Sequence, residues 1–268
     1  MGTSLRAKFE DHFNLTPKMH AKLELNAKPG RVLVVGSVLC QQTNHYSNIS
    51  KELSQSRIHE VQQVWGLIKP TDSSQCSSNV TELVVEYMVP RSILINRLLK
   101  QGNYHEFDHV IVIDDDIRLP RGFLDQFIEA QTRLDFAIAQ PARTINSRIA
   151  HKITKQVPHL LARQTHFVEI GPLVSFRKDV FKLVLPLDEA SPMGWGHDLV
   201  WPVLLCQQGR KMGIIDFAPV AHTLRPLGKS YTGDDSRAKM NEYLGEKDHM
   251  NFKQAWRVIA EFTDDNIG

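Results

Sequence analysis

The segment His109–Asp116, HVIVIDDD, decides the fold of this 268-residue chain. Its first part is continuous in β-branched residues and is typical of a central, buried strand. Three consecutive carboxylates follow at the end of that strand. Open α/β sheets bind their ligands beyond the carboxyl ends of the strands, so Asp114, Asp115 and Asp116 are the first candidate site residues.

Strands and helices alternate around this segment. In chain order the sequence predicts strands at Arg31–Ser37 and Val61–Ile68, a helix over Glu82–Gln101 that ends at Gly102, the strand His109–Ile113, a helix from Pro120 through Thr132, and a strand at Asp135–Gln140. Alternation of this kind favours an α/β fold with a mostly parallel central sheet flanked by helices on both faces.

The second half of the chain is less regular. The sequence predicts a strand over His166–Phe176 broken by Gly171 and Pro172, helices at Lys178–Val184 and Leu199–Gln208, a strand at Met212–Phe217, and a last helix with Phe252, Trp256 and Ile259 on one face. This pattern predicts a small antiparallel part in the C-terminal half of the sheet.

Composition excludes several classes of protein. A hydrophobic content of 42% suits a globular domain, and 32 basic against 30 acidic side chains show no footprint of a nucleic-acid binder. The longest apolar stretch, Leu199–Cys206, is too short to span a membrane. Three cysteines (Cys40, Cys76 and Cys206) without metal-binding spacing, and no secretory signal, predict a cytoplasmic protein; a fragment of a longer secreted protein is the alternative.

Three adjacent aspartates need a counter-charge. Like charges repel, so the carboxylates of Asp114, Asp115 and Asp116 stay ionised at neutral pH only if a cation shares the site. Oxygen ligands suit a hard divalent cation such as Mn²⁺ or Mg²⁺. The alternative is a solvated turn whose last aspartate caps the segment that follows.

Two further features favour a metal site over a solvated turn. The segment Gly194–Asp198, GWGHD, places a tryptophan between two glycines and a carboxylate at a helix start. Asp198 suits a general base or a simple helix cap, and Trp195 a platform for a sugar or a core residue. His222 follows the last sheet strand, where a neutral imidazole can complete a manganese site or play a structural part.

Together these residues resemble glycosyltransferases of the GT-A fold. The resemblance rests on a hydrophobic strand that ends in Asp-x-Asp, a later Gly-Trp-Gly before an acidic residue, and a late histidine. The order of DDD, FVEIGPLVSF, GWGHDL and VAH is also similar to a family of uncharacterised GT-A-like proteins of plants and bacteria. The resemblance covers about Arg31–Leu227 and implies one catalytic domain over 1–268, with a nucleotide-binding half at 31–140, an acceptor half at 141–227 and a helical segment at 236–264.

The resemblance also implies roles for individual residues. Asp116 and His222 would bind the cation, and Asp114 would contact it through water or contact the ribose and sugar of the donor. Asp115 would face the donor sugar, the turn of Val35, Gly36 and Ser37 would begin to hold the nucleotide, and Arg91 would reach the diphosphate. Asp198 would be the catalytic base, and the acceptor site would be shaped by Gly171, Trp195, Gly196 and His197. The loop with Lys229, Tyr231 and Arg237 would either fold over the diphosphate or be a plain surface loop. The chain departs from the common pattern in reading His-Asp rather than Glu-Asp at 197–198.

The predicted function is therefore a metal-dependent, inverting transfer of a sugar from a nucleotide-diphosphate sugar, of the UDP type, to a carbohydrate acceptor hydroxyl. A binding module for nucleotide sugars or glycans that lacks turnover is one alternative. A metal-dependent phosphohydrolase is another, although Asp116-Ile117-Arg118 lacks the threonine of the haloacid-dehalogenase pattern. A dehydrogenase is disfavoured because VLCQQ, not a glycine-rich motif, follows the first strand.

Overall fold

One mixed β-sheet runs through the centre of the fold. The computed structural model describes residues 25–26, 28–69, 80–225 and 233–263. Within these ranges the strands are β1 (Arg31–Leu39), β2 (Glu60–Ile68), β3 (Thr81–Val85), β4 (His109–Asp114), β5 (Ile117–Arg118), β6 (Phe136–Arg143), β7 (Ala162–Thr165), β8 (Leu173–Arg177), β9 (Lys211–His222) and β10 (Val258–Phe262).

The strand order places the acidic segment in the middle of the sheet. The order is β10-β7-β9-β6-β8-β4-β1-β2-β3, with the short β5 paired to the end of β9. Strands β1, β2 and β3 are parallel to their neighbours, β4 is parallel to β1, and β6 is parallel to β9. Strand β8 is antiparallel to both β4 and β6, and β7 and β10 add antiparallel pairs. The antiparallel part thus lies in the C-terminal half, which confirms that prediction.

Helices cover both faces of the sheet. They are α1 (Tyr46–Leu53), α2 (Arg91–Gln101), α3 (Phe123–Arg133), α4 (Phe181–Val184), α5 (His197–Gln207), α6 (Gly233–Gly245) and α7 (Phe252–Ala255). In β1, Leu33 and Val35 pack into the core under α2 and α5, whereas Val32 and Val34 pack under α1 and α3. Because both faces are buried, the strand is apolar at nearly every position, as its sequence shows.

One predicted helix is wrong in its first half. The chain forms strand β3 at Thr81–Val85, parallel to β2, and helix α2 begins only at Arg91, after Pro90. The apolar spacing of Val85 and Met88 matches a helix by coincidence. Parallel pairing at the edge of the sheet outweighs helix propensity here, because β-branched Val84 and Val85 suit a strand.

Other element boundaries differ from the sequence prediction. Strand β1 continues to Leu39, so no turn occurs at 35–37. Of the predicted strand over 166–176, only the part after the Gly171–Pro172 break forms a strand, which is β8. The strand before it, β7, ends at Thr165. The last helix ends at Ala255, and Ile259 lies on β10, which pairs with β7.

A buried ion pair fixes the segment before β7. Arg163 Nε lies 2.8 Å from Asp216 Oδ2 on β9. The same guanidinium donates to the carbonyl oxygens of Ile153 and Lys155, at 2.8 and 2.9 Å. Since these hydrogen bonds satisfy a charged group inside the protein, the segment 151–157 is held firmly against the sheet.

Within the described ranges, no helix has the length and apolarity that a bilayer crossing requires.

Candidate functional site

The last of the three aspartates meets the late histidine. His222 Nε2 lies 3.2 Å from Asp116 Oδ2. The contact follows from strand pairing, because β5 directly continues the acidic segment and runs antiparallel to the end of β9, with Ile117 opposite His222. Both side chains are buried, and Asp116 Oδ1 and His222 Nδ1 have no hydrogen-bond partner. The structure thus brings these two side chains together, and their role as cation ligands stays a prediction.

Arg225 supplies a cation that sequence reasoning missed. Its Nε donates to Asp116 Oδ2 at 3.1 Å, and its two terminal nitrogens donate to both oxygens of Asp115. Burial works to lower the pKa of Arg225, but Asp115 and Asp116 outweigh it and raise that pKa. The sequence did contain a signal for it: three carboxylates need a cation, and Arg225 is the first basic residue after His222.

The Asp115 carboxylate faces inward. It is 1% exposed, and Oδ2 accepts the backbone N–H of Leu39 at 2.8 Å as well as Arg225. Burial raises its pKa to about 6. The prediction that Asp115 faces the donor sugar does not fit this orientation, because the side chain is used to hold the end of β1 and the guanidinium.

Asp116 is the more acidic of the two buried aspartates. Burial works to raise its pKa, but the contacts with His222 and Arg225 together outweigh burial and hold that pKa below its ordinary value. An ionised carboxylate is therefore present at the carboxyl end of the central strand at neutral pH, as a cation ligand requires.

Asp114 pairs with Arg91 beside Gly171. Arg91 Nη2 donates to Asp114 Oδ1 at 2.9 Å, and a methyl group at Gly171 would lie 3.1 Å from Asp114 Oδ2. The Arg91 side chain is largely buried, and its Nη1 has no partner. The structure thus brings Arg91 to the acidic segment as predicted, and it places Gly171 there as well rather than in a separate acceptor pocket.

The loop that carries GWGHD is tied to helix α2. Ser92 Oγ donates to the carbonyl of Ser191 at 2.6 Å, and the Ser92 backbone N–H donates to the carbonyl of Pro192 at 2.9 Å. Farther along the helix, the Asn96 side chain bonds both backbone groups of Leu187. The helix that supplies Arg91 therefore also positions the loop before Asp198.

Asp198 is a buried carboxyl group in the first turn of α5. The helix is capped by Gly196, in a left-handed conformation (φ 95°), so Asp198 is not the cap itself. Burial, followed by the negative charge of Glu169, raises the pKa of Asp198 to about 7. A carboxyl group that titrates near neutral pH is suited to general base catalysis.

His197 is held by the backbone on both sides of its ring. Nε2 accepts the N–H of Asp188 at 3.1 Å, so Nδ1 carries the proton and donates to the Gly194 carbonyl at 2.9 Å. Burial lowers the pKa of His197 to about 4. The predicted contact of His197 with an acceptor does not fit, because both ring nitrogens are used to shape the loop; the half-buried Trp195 beside it has more exposed surface.

Arg143 and Glu169 form a second buried pair that sequence reasoning left unassigned. Arg143 Nη2 donates to Glu169 Oε2 at 2.7 Å and to the Gly171 carbonyl. The charges of Asp114 and Asp116 also act on Arg143. This pair therefore lies between the acidic segment and Asp198. The glutamate was visible within FVEIGPLVSF, but a single carboxylate there gives no signal of its own.

The predicted nucleotide turn is displaced along β1. Val35 and Gly36 are buried within the strand, and only Ser37, opposite Asp114 in the register, reaches the acidic end of the sheet. The loop at 40–45 takes the place of the predicted turn, with the His45 backbone N–H donating to the Asp115 carbonyl at 2.6 Å. Lys229 and Tyr231 fall outside the described residues, and Arg237 lies on α6, exposed.

The fit of a divalent cation can be tested on Asp116 and His222. Two ligands of an octahedral ion with bonds of about 2.1 Å lie about 3 Å apart, which matches the distance between these side chains. No cluster of three or more such ligands occurs within the described ranges. Two protein ligands suit a cation whose other positions are filled by phosphate oxygens and water. The residues therefore fit a cation that binds together with a nucleotide.

Comparison with known proteins gives matches in three dimensions only. No protein-family model matches the sequence, and no curated protein sequence does. A crystal structure of GalNAc-T7 with UDP, GalNAc and Mn²⁺ is similar with a TM-score of 0.57 and 10% identity; the match covers 76% of this chain and 45% of that one. A structure of S. aureus TarS 1-349 with UDP-GlcNAc is similar with a TM-score of 0.55 and 13% identity, covering 79% and 65%.

These likenesses concern the architecture. The chain spans less than two thirds of the length of either protein, and at 10 to 13% identity the match carries over the fold alone. Both proteins have the GT-A arrangement of a central sheet flanked by helices. Together with the strand order and the acidic end of β4, they show that this chain has the GT-A fold.

Proposed function

We propose that this protein transfers a sugar from a nucleotide-diphosphate sugar to an acceptor hydroxyl with the help of a divalent cation. The contact between Asp116 and His222 carries the proposal, because it places a carboxylate and an imidazole together at the carboxyl end of the central strand. The similarity to GalNAc-T7, whose structure holds UDP, GalNAc and Mn²⁺, supports the same assignment.

On the donor side, the chain concentrates groups that bind a diphosphate. Asp116 and His222 would hold Mn²⁺ or Mg²⁺, and the cation would neutralise the charge that develops on the departing nucleoside diphosphate. Arg91, next to Asp114, has an Nη1 without a hydrogen-bond partner. Arg225 is paired with two carboxylates, and a bound cation would replace part of that pairing and release the guanidinium. Both guanidiniums are therefore candidates to bind phosphate oxygens.

On the acceptor side, we assign the base to Asp198. An acceptor hydroxyl is a poor nucleophile, and a carboxylate that removes its proton during attack makes the reaction feasible. The pKa of about 7 leaves a substantial fraction of Asp198 ionised at neutral pH, within a site from which water is largely excluded. Attack on the face opposite to the leaving group inverts the anomeric carbon, so the proposed reaction is inverting.

The remaining parts of the proposal concern the type of donor, the acceptor and the location of the protein. A UDP-type donor is supported by the UDP and UDP-GlcNAc in the similar structures. A carbohydrate acceptor and a cytoplasmic location stay predictions from the sequence. Asp114, Gly171 and Ser37 belong to the donor side by position, whereas Val35 is buried in the core and is left out.

The proposal can be tested with a panel of nucleotide sugars. Thermal denaturation is measured with UDP-, GDP- and CDP-sugars, each with Mn²⁺ or with a chelator, because a ligand that binds only the native state raises the melting temperature. Release of nucleoside diphosphate is then measured with the donor that stabilises the protein. We expect one class of donor to bind only when Mn²⁺ is present and to be turned over. If no donor binds, the glycosyltransferase assignment fails; binding without turnover, by protein that keeps Asp198, would favour a binding module.

A further inference from the structure

A group of aromatic rings lies where helix α7 packs against α5, the helix that carries the proposed base. Phe252 and Trp256 are each 37% exposed, and with His151 and Phe167 they form what we call the aromatic platform. The ring centroids of Phe252 and Trp256 lie 5.4 Å apart, and His151 stacks on Phe252 at 5.6 Å with an angle of 25° between the planes. Two large aromatic rings that share one exposed surface are a feature of ligand and protein binding sites.

The platform is built on rigid parts of the fold. Phe167 is fully buried beneath the other rings, 4.9 Å from His151. Helix α7, which carries Phe252, begins at Asn251 with reciprocal hydrogen bonds between Asn251 and Gln254. His151 directly precedes the segment that Arg163 holds through the carbonyls of Ile153 and Lys155. Since these supports fix the rings before any ligand arrives, binding to the platform would cost little conformational entropy.

The platform also contacts the elements that carry the proposed chemistry. His151 Nε2 lies 3.9 Å from Glu169 Oε1, and Glu169 pairs with Arg143 and acts electrostatically on Asp198. The backbone N–H of Met250, just before α7, donates to the carbonyl of Leu199, the residue after Asp198. The segments that carry the rings are thus linked to the surroundings of the base at two points, through Glu169 and through the hydrogen bond from Met250 to Leu199.

The mixture of groups indicates a carbohydrate ligand. Aromatic faces pack against the C–H groups of a pyranose ring, and neighbouring carboxylate and imidazole groups bind its hydroxyls. The side chains of Glu169 and His151 retain 17% and 23% of their exposure, so both can be reached from the surface. An apolar partner would cover the Arg143–Glu169 ion pair and the His151 imidazole without bonding to them, whereas sugar hydroxyls can form hydrogen bonds with both.

We propose that Phe252 and Trp256, together with His151 and Glu169, bind a sugar ring of the acceptor, and that the acceptor hydroxyl is thereby delivered beside Asp198. The inference rests on the proposed function, which supplies Asp198 as the base. It adds a substrate class, a carbohydrate with an accessible pyranose face, and binding residues to which the sequence analysis gave no catalytic or binding role.

Glycan binding without donor tests the site independently of catalysis. The full chain is applied to an array of oligosaccharides ending in glucose, galactose, GlcNAc or GalNAc, and the retained glycans are titrated in solution by isothermal titration calorimetry. Trp256→Leu and Phe252→Leu keep apolar volume but remove an aromatic face, and Trp256→Phe restores a ring. We expect the leucine variants to weaken binding at least tenfold, and Trp256→Phe to recover most of it. Tyr87→Leu, an exposed aromatic residue beyond edge strand β3, is the matched control.

The outcomes separate this inference from the glycosyltransferase assignment. If donor binds in the presence of Mn²⁺ and the leucine variants leave acceptor binding and acceptor KM unchanged, the platform is not an acceptor site and the proposed function stands. If the wild-type protein retains no glycan, with or without donor, the platform assignment is overturned. Retention on anionic lipid vesicles that Trp256→Leu abolishes, with no glycan bound, would overturn it in favour of a membrane surface.

Discussion

His222 Nε2 and Asp116 Oδ2 lie 3.2 Å apart, although the two residues come from distant parts of the chain. The two-residue ladder between β5 and β9 brings them together, because Ile117 pairs with His222 and Arg118 with Ala221. Backbone pairing alone therefore brings the acidic segment and the late histidine together, and their geometry can be probed residue by residue.

Loss of either member of this pair should weaken nucleotide binding that depends on Mn²⁺. We expect Asp116→Ala to abolish the manganese-dependent part of donor affinity, and His222→Ala to reduce it roughly tenfold, because an ionised carboxylate contributes more to a hard cation than a neutral imidazole. Isothermal titration with UDP and Mn²⁺ measures both. His166→Ala, beside Cys206, should leave the affinity unchanged. If Asp116→Ala and His222→Ala bind as tightly as His166→Ala, the metal site does not exist.

Replacing Arg225 should make the site more receptive to a cation alone. Arg225 donates to the same Asp116 oxygen that His222 contacts, so Mn²⁺ must displace it. We expect Arg225→Gln to raise the affinity for free Mn²⁺ by roughly fivefold or more, because the cation no longer competes with the guanidinium for Asp116. The same variant should have a lower affinity for the nucleotide. Electron paramagnetic resonance of free Mn²⁺ gives the first quantity. Arg177→Gln is the control, because Arg177 also pairs with two aspartates, Asp135 and Asp179, away from the site; an unaltered Mn²⁺ affinity in Arg225→Gln would rule out competition.

The raised pKa of Asp198 has opposite effects on stability and on activity. Below about pH 4 the folded and unfolded states both hold the proton, so Asp198 does not affect stability. Between about pH 4 and 7 the unfolded state loses the proton first, and the free energy of unfolding falls by up to about 4 kcal/mol. Transfer requires the ionised form, so its rate should rise through about pH 7.

The variant Asp198→Asn separates these two effects. It should lower the transfer rate roughly 10²- to 10⁴-fold. It should also raise the free energy of unfolding at pH 8 by about 1–3 kcal/mol, because the neutral amide replaces a carboxylate that is charged and buried at that pH. At pH 4 the Asp198 carboxyl group is itself neutral, so the change should be small. Urea denaturation at both pH values measures this. Asp179→Asn should behave in the opposite way, since the bond to Arg177 lowers the pKa of Asp179. A destabilised Asp198→Asn at pH 8 would contradict the buried charge.

A methyl group at Gly171 should disturb donor binding more than folding. It would lie 3.1 Å from Asp114 Oδ2 and 3.6 Å from Arg91 Nη2, so the ion pair between them must shift. We expect Gly171→Ala to weaken nucleotide affinity about three- to tenfold, with a fall in melting temperature of only a few degrees. Gly245→Ala, where a methyl group meets nothing within 4 Å, is the control. Unchanged affinity in Gly171→Ala would place the nucleotide away from Asp114.

The sequence predicts those parts of the site that depend on strand ends. A buried strand such as β4 has a continuous apolar pattern, so the position of Asp114–Asp116 at its carboxyl end could be read directly. His222 could be placed with them because a late histidine after a strand is part of the GT-A resemblance. Asp198 could be assigned to a helix start for the same reason.

Side-chain partners across the fold could not be predicted in this way. Arg225 and the Arg143–Glu169 pair meet their partners through long-range contacts that have no periodicity in the sequence. The error at Glu82–Gln101 has a related cause: edge strand β3 is specified by its pairing with β2, while its residues alone also match a helix. The inward orientation of Asp115 depends on the Leu39 backbone, which the extended β1 brings into reach.

The attachment of Ser92 to Ser191 limits how the two halves of this protein could be recombined. A chimaera joined near residue 140 would take helix α2 from one parent and the loop before Asp198 from the other, and would lose the hydrogen bonds of Ser92 and Asn96 to that loop. Exchange of the C-terminal half between proteins of this architecture would therefore require residues 91–101 to be inherited together with it.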